Sequence, residues 1–309
     1  MSLALVVLTA FTLFLVGANN ASNSAGTIAG SRILSYRSGI FIFIAGLTAG
    51  LLLEGGKLAG SIQGRALLSP LDALSVTIVM GITLAMVAIA TLARIPLPIT
   101  QAVFGASLGS AVFLGIPLNG GYIALVLGSW MMTPFIAAFV ALMVGIFLRR
   151  QSVDSLGGGM MVFGILLLAA SFFTAYVFGA NTLGLIVGVI GGDLGATEGC
   201  ILAIAATAAG GILVGERVSK MVGEGLSNLG PPTAFASQIG GALTVQLFTE
   251  LSVPVSISQA IVGGVAGGGL SKGGKALSRD NAVKLGLFWI ATPMLSLLMA
   301  LLLHAVILG

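Results

Sequence analysis

Apolar stretches such as Met1–Ala18, Leu74–Ala93, Gly121–Leu148 and Leu285–Gly309 each run for 18 residues or more without an Asp, Glu, Lys or Arg. An apolar helix of about 20 residues crosses the hydrocarbon core of a bilayer. Folded in water, four such stretches would expose far more apolar surface than a soluble domain tolerates. The balance of residue types agrees. Only 7% of the 309 residues are charged, against about 25% in an average soluble protein. The chain is therefore expected to be an all-α polytopic membrane protein.

Several function classes fall away at once. The sequence pI is near 9.6, but the basic residues stand singly between apolar runs, with no aromatic-interleaved basic stripe. They read as a topology signal rather than a nucleic-acid surface. Cys200 is the one cysteine, so no intrachain disulfide or thiol metal site is expected. His304, the one histidine, reads as a helix-end residue. No metal-ligand cluster, nucleotide loop or nucleophile–base pair appears, so an enzyme is not expected. The first apolar run is not read as a cleaved signal, because no Lys or Arg precedes it.

The chain also repeats itself. Gly17-Ala18-Asn19 returns as Gly179-Ala180-Asn181, 162 residues later. Ile95-Pro96-Leu97-Pro98-Ile99-Thr100-Gln101 returns as Val253-Pro254-Val255-Ser256-Ile257-Ser258-Gln259, offset by 158. Trp130 with Thr133-Pro134 returns as Trp289 with Thr292-Pro293, offset by 159. Three landmarks in one order at a near-constant offset identify a duplication. It divides the chain into an N-terminal repeat, residues 1–150, and a C-terminal repeat, residues 157–309, packed as one unit.

Five apolar segments per half are expected: 2–19, 39–53, 73–93, 97–115 and 121–148, then 157–178, 198–214, 233–250, 256–271 and 284–308. An odd number per half turns the second half upside down. With the N-terminus outside, the inner loops collect Arg32, Arg37, Arg94, Arg149, Arg150, Arg217, Lys220, Lys272, Lys275, Arg279 and Lys284, while the outer ones hold Lys57 and Arg65. That bias satisfies the positive-inside rule. The expectation is an inverted-topology repeat in the cell membrane with both termini extracytoplasmic. Segments 97–115 and 256–271 are short and interrupted by Gly and Pro. Matching breaks of this kind predict broken helices or re-entrant hairpins around a midplane site.

The breaks carry uncharged polar groups. After Gly17 come Asn19, Asn20, Ser22, Asn23, Ser24 and Thr27; Asn181 and Thr182 stand at the matching break. Helices restart after proline with Thr100 and Gln101 in one half and with Ser256, Ser258 and Gln259 in the other. A restarting helix offers unpaired N–H groups and the positive end of its dipole, which suits an anion. The bland alternative is that Ser and Thr cap helices while glycines let them pack closely. Recurrence in both halves favours Thr100, Gln101, Ser258 and Gln259 as anion ligands. Asn19, Asn181 and Glu250 are candidate coupling-ion ligands, with Na⁺ as the ion. Glu250 is read as having no basic neighbour, whereas Glu54 and Glu216 lie beside Lys57 and Arg217 and read as headgroup-level ion pairs.

Gly17-Ala18-Asn19-Asn20-Ala21-Ser22-Asn23-Ser24 resembles the Gly-Ala-Asn-Asp-x-Ala-Asn signature of the inorganic phosphate transporter (PiT) family. Pro96–Gly105 and Pro254–Gly263 resemble its Pro-x-Ser-Thr-Thr-His-x-x-x-Gly repeats. The resemblance covers essentially the whole chain. It implies a secondary transporter, often Na⁺- or H⁺-coupled, holding a tetrahedral oxyanion between inverted repeats; carriers of this build often pair as homodimers. Two departures matter. The family's Asp is Asn20 and Thr182 here, and its His is Gln101 and Gln259. An amide donates hydrogen bonds where a carboxylate only accepts. The pattern therefore leans towards sulfate, which has no proton to give, with phosphate as the alternative, as in the family's sulfate-permease branch. An anion channel of the same build is the competing class.

Overall fold

The computed structural model describes residues 3–31, 33–93, 97–150, 158–222, 230–273 and 279–308. Every extended element among them is a helix, and the only β pairings are isolated bridges in the 63–118 region. This follows from the composition, because in an apolar surrounding a backbone satisfies its own N–H and C=O groups most simply as a helix.

Helix α1 (Leu3–Asn20) passes through a tight 3₁₀ turn (Ala21–Asn23) into α2 (Ala25–Gly30). There follow α3 (Tyr36–Glu54), the single turn α4 (Gly56–Ala59), α5 (Ala73–Leu92), the short α6 (Ile99–Phe113) and the long α7 (Gly120–Arg150). The series then recurs. Helix α8 (Gly158–Phe178) passes through a wide π turn (Gly179–Leu183) into α9 (Gly184–Leu194). After it come α10 (Ala196–Leu213), α11 (Gly215–Val222), α12 (Pro231–Glu250), α13 (Ile257–Ser271) and α14 (Arg279–Leu308). The expected join, 149–159, lies largely outside the described residues, as do Arg32, Arg94, Ile95, Pro96 and Lys275.

Seven stretches among the described residues are long and apolar enough to cross a membrane: Leu3–Gly30, Tyr36–Glu54, Ala73–Leu92, Gly120–Arg150, Met161–Leu194, Ala196–Leu213 and Ala282–Leu308. Of the ten expected segments, 97–115 and 256–271, expected as broken helices or re-entrant hairpins, correspond to α6 and α13 and are not among the seven; nor is 233–250, expected as a plain apolar segment. At 15 residues each, α6 and α13 reach only about 22 Å, and α12 carries two glutamines, a serine and three threonines. Instead α12 and α13 form an antiparallel hairpin, with Gly241 on Ala260, Gly264 on Ser237 and Gly268 on Thr233. The outer faces of the long helices stay apolar: Phe135, Phe139 and Phe147 of α7 and Ile290, Met294 and Leu302 of α14 are exposed.

The halves hold each other by reciprocal contacts. α1 packs on α10 while its counterpart α8 packs on α3; α14 packs on α6 while α7 packs on α13. The touching residues correspond pair by pair. Gly17 lies on the Thr207 backbone and Gly179 on that of Leu47; Gly105 meets the Pro293 carbonyl and Gly263 that of Pro134. Gly210 meets Phe14, and Gly50 meets Tyr176. Two parts related by a two-fold make such contacts in duplicate. Glycine is required because apolar helices gain nothing from hydrophobic expulsion in lipid and associate through close backbone approach.

A methyl group at Gly50 or Gly263 would overlap a backbone carbonyl, whereas Gly128 and Gly286 face open space. Gly50→Ala and Gly263→Ala should each cost about 1–3 kcal/mol, read as a lowered thermal-unfolding midpoint in detergent. Gly128→Ala and Gly286→Ala should leave the midpoint unchanged or slightly raised.

Candidate functional site

The four breaks predicted from the repeat meet in the interior. Helix α6 starts at Ile99 after Pro98, and α13 starts at Ile257, where the Ser256 hydroxyl accepts from Gln259 N at 3.3 Å. Both starts are deeply buried: Ile99, Thr100, Ile257 and Ser258 are all under 4% exposed. They converge on a crevice bounded by Asn20 from the end of α1 and Thr182 from the π turn, with Thr100, Ser256, Ser258, Leu97, Ile99 and Ile257 completing it. In this conformation the crevice is too narrow for a water molecule. Among the described residues no carboxylate or cation lines it.

Its donors come from both halves. The first N–H groups of α6 and α13 lack intrahelical partners by the geometry of a helix start, and both helix dipoles point their positive ends inward. Thr100 Oγ1 is buried without a hydrogen-bond partner among the described residues. Asn20 Nδ2 donates to Val16 O at 3.0 Å and keeps a second N–H, while its Oδ1 accepts from Asn23 Nδ2 at 3.2 Å. The result is a donor-rich, uncharged site with positive partial charge at two edges.

The other predicted residues divide by role. Ser22, Asn23 and Ser24 brace the break rather than line the crevice. Ser22 donates to Asn19 O at 2.6 Å, Ser24 donates to Ser171 O at 2.9 Å, and Asn23 O accepts from Gln238 Nε2 at 2.8 Å. Gln101 and Gln259 lie one residue beyond the crevice lining, each with a buried side-chain oxygen that has no partner among the described residues. Asn181 secures the extended chain ahead of α13. Its Nδ2 donates to Thr249 Oγ1 (2.9 Å) and Val253 O (3.2 Å), and its Oδ1 accepts from Val255 N (3.1 Å). Asn19 repeats the first of these contacts, donating to Thr91 Oγ1 at 3.4 Å.

Glu250 departs from expectation. It is half exposed at the end of α12, and both its oxygens accept from Lys57 Nζ, at 2.8 and 2.9 Å. Gln246 Nε2 adds bonds of 2.7 Å to Glu250 and to Glu54, which lies 3.3 Å from the same lysine. The premise of no basic neighbour failed because the partner is 193 residues away in sequence. This cluster ties the two halves together at one end of the molecule, outside the crevice. Lys57 chiefly, then Gln246, holds the Glu250 carboxyl below its ordinary range, and Glu250 in turn raises Lys57.

Two features escaped the sequence reading. Thr91 and Thr249 each stand five residues before the repeated proline, so the repeat extended further back than Ile95. The bond from Ser171 Oγ to Gln238 Oε1 (2.7 Å) had no such signal, because the position matching Gln238 in the first half is Met80.

Residues 16–163 and 156–300 each match the phosphate transporter family. The chain belongs to that family. A protein of Methanocaldococcus jannaschii, provisionally named a phosphate permease, is 28% identical over 98% of this chain and 96% of its own length. The sulfate permease CysP of Bacillus subtilis is 27% identical over 96% of this chain and 85% of its own. Among solved structures, a sodium-dependent phosphate transporter matches 98% of both chains with a TM-score of 0.80 at 16% identity, a likeness of fold. The phosphate transporter family fold, with its seven apolar stretches, makes this a multi-pass membrane protein and a permease rather than an enzyme.

Replacing Asn181 strands Val253 O and Val255 N in an apolar interior, where an unpaired polar group costs about 1–3 kcal/mol. Asn181→Ala should lower the thermal midpoint accordingly. Asn181→Asp should restore only the bond from Val255 N. For the Lys57–Glu250 junction the sign follows from the shifts. The lowered Glu250 adds stability above its ordinary 4.5, lost as pH falls through the lowered value. The raised Lys57 adds stability below its ordinary 10.5, lost as pH rises through the raised value. The midpoint should decline in acid, and Lys57→Gln should flatten that decline.

Proposed function

We propose that the chain is a secondary carrier of a tetrahedral inorganic oxyanion, phosphate or sulfate, bound between α6 and α13 near the middle of the membrane. The observation that carries this reading is the meeting of two helix starts and two chain breaks, one of each from either half, on a crevice without a fixed charge. First-turn amides, Thr100, Ser258 and the spare Asn20 N–H are suited to oxyanion oxygens. Because the crevice is closed, an anion enters only when the helix starts part, as alternating access requires. Reciprocal packing supports inverted halves. The Arg149 and Lys272 end then faces the cytoplasm of the cell membrane, the Lys57–Glu250 end faces outward, and both termini lie outside. Symport with Na⁺ or H⁺, and a homodimeric assembly, complete the proposal.

Sulfate and phosphate are supported by different observations. With Asn20 and Thr182 where the family pattern has Asp, no crevice side chain can accept the proton of hydrogen phosphate as a carboxylate would, while sulfate needs donors only. Phosphate is the second reading and rests on the names of most relatives. Equilibrium binding to purified protein separates them. Sulfate should compete with radiolabelled phosphate at equal or lower concentration, and Asn20→Asp should move the preference towards phosphate by about tenfold, one bond's worth of discrimination. Tight phosphate binding indifferent to sulfate would sink the sulfate reading. Ohmic conductance in place of saturable, counterflow-stimulated flux would sink the carrier reading.

A further inference from the structure

At the end of the molecule where α7 finishes, helices α7, α8, α12 and α13 leave a partly open cavity of about 530 Å³. It is separate from the crevice and shares no residue with it. Arg149 and Lys272 bring two cations to it, Thr233 and Ser271 two hydroxyls, and Leu148 and Phe163 an apolar wall. Among the described residues no acidic side chain lines it. Among the described residues the Arg149 guanidinium donates one bond, to Ser271 O, which orients the fork and leaves four of its five N–H groups without a partner there.

The pseudo-symmetry supplies a control within the same molecule. At the corresponding place in the other half, His304 stands where Gly145 stands here, Ser75 where Thr233 stands, and Phe113 where Ser271 stands. There the imidazole fills the space. His304 is fully buried, with Nε2 2.9 Å from Ser75 Oγ, Nδ1 2.8 Å from Ala300 O, and its ring centroid 5.3 Å from that of Phe113. One half thus seals this site with its own side chain. The other leaves it open and cationic. The mouth also adjoins apolar surface, since Met143 and Phe147 of α7 and Met161 and Val162 of α8 are exposed.

Two cations beside hydroxyls, an apolar wall and outward-facing apolar helices describe both ends of one kind of ligand. We propose that this cavity holds the phosphate headgroup of an anionic phospholipid, with its acyl chains lying along α7 and α8. The phosphate accepts from Arg149, Lys272 and Thr233, while the Ser271 hydroxyl, which donates to Gly268 O at 2.7 Å, serves as a polar wall. The proposal rests on the chain's place in the membrane and not on which oxyanion it carries.

Native mass spectrometry tests it. The purified chain is released from micelles containing phosphatidylglycerol and phosphatidylcholine in equal amounts, and bound lipid is counted by mass. One phosphatidylglycerol retained in preference to phosphatidylcholine is expected. Lys272→Gln, at an exposed position, should weaken retention about fivefold and R149Q/K272Q more, while R149K/K272R keeps it. R37Q/R217Q removes two cations outside the cavity and should leave retention unchanged. Equal retention of both lipids, or equal loss in both neutralised pairs, would overturn the assignment. So would phosphatidylglycerol being ignored while inorganic phosphate binds through Arg149 and Lys272. Oxyanion flux is measured separately, so a chain that carried neither anion would leave this result standing.

Discussion

Within an apolar body, a chain that leaves helical geometry exposes amides and carbonyls that water cannot reach, and each needs a partner from the protein. The interior of this molecule is organised around that requirement. The extended run ahead of α13 survives because Asn181 bonds to the backbone on either side of Pro254, and because Trp130 Nε1 donates to Pro254 O itself at 2.8 Å. Only with that run secured can a helix start in mid-protein and aim its unpaired N–H groups at a shared point. The crevice is therefore a by-product of satisfied backbone everywhere around it.

Duplication supplies the second organising fact. Matched glycines of the two halves pack against the opposite half: Gly17 to Thr207 and Gly179 to Leu47, Gly105 to Pro293 and Gly263 to Pro134. A shared site at the junction follows from this interleaving. Where the halves have diverged, the differences have local causes. Glu250 finds Lys57 at one end, but Leu92 occupies the matching position in the first half and can form no such pair.

Much of this was legible in the residues. The repeated Gly-Ala-Asn and Pro-rich landmarks located all four breaks, and Asn20, Thr100, Thr182, Ser256 and Ser258 do meet. What one-dimensional reading could not supply was the division between lining and bracing. Ser22 and Ser24 look as suited to an anion as Ser258, yet their hydroxyls are consumed by the Asn19 and Ser171 carbonyls. Glu250 looked unpaired because sequence proximity is a poor guide to charge partners in a chain whose ends interleave. The short, Gly- and Pro-interrupted segments 97–115 and 256–271 were legible as something other than plain crossings, but the polar arm 233–250 that pairs with the second of them read as an ordinary apolar segment.

The two breaks that correspond in sequence are wound in opposite senses of tightness. Ala21–Asn23 is a 3₁₀ turn, whereas Gly179–Leu183 is a π turn. A 3₁₀ turn climbs about 2.0 Å per residue against 1.5 Å in an α-helix, and a π turn holds more residues per revolution. Asn20 ends α1 ahead of the tight turn while Thr182 sits inside the wide one, so the two matching positions reach the crevice from differently wound backbone. Perfectly duplicated halves would build a site with no distinguishable ends. Divergence at one matched position gives the crevice an Asn side and a Thr side, so its two faces offer different side-chain donors.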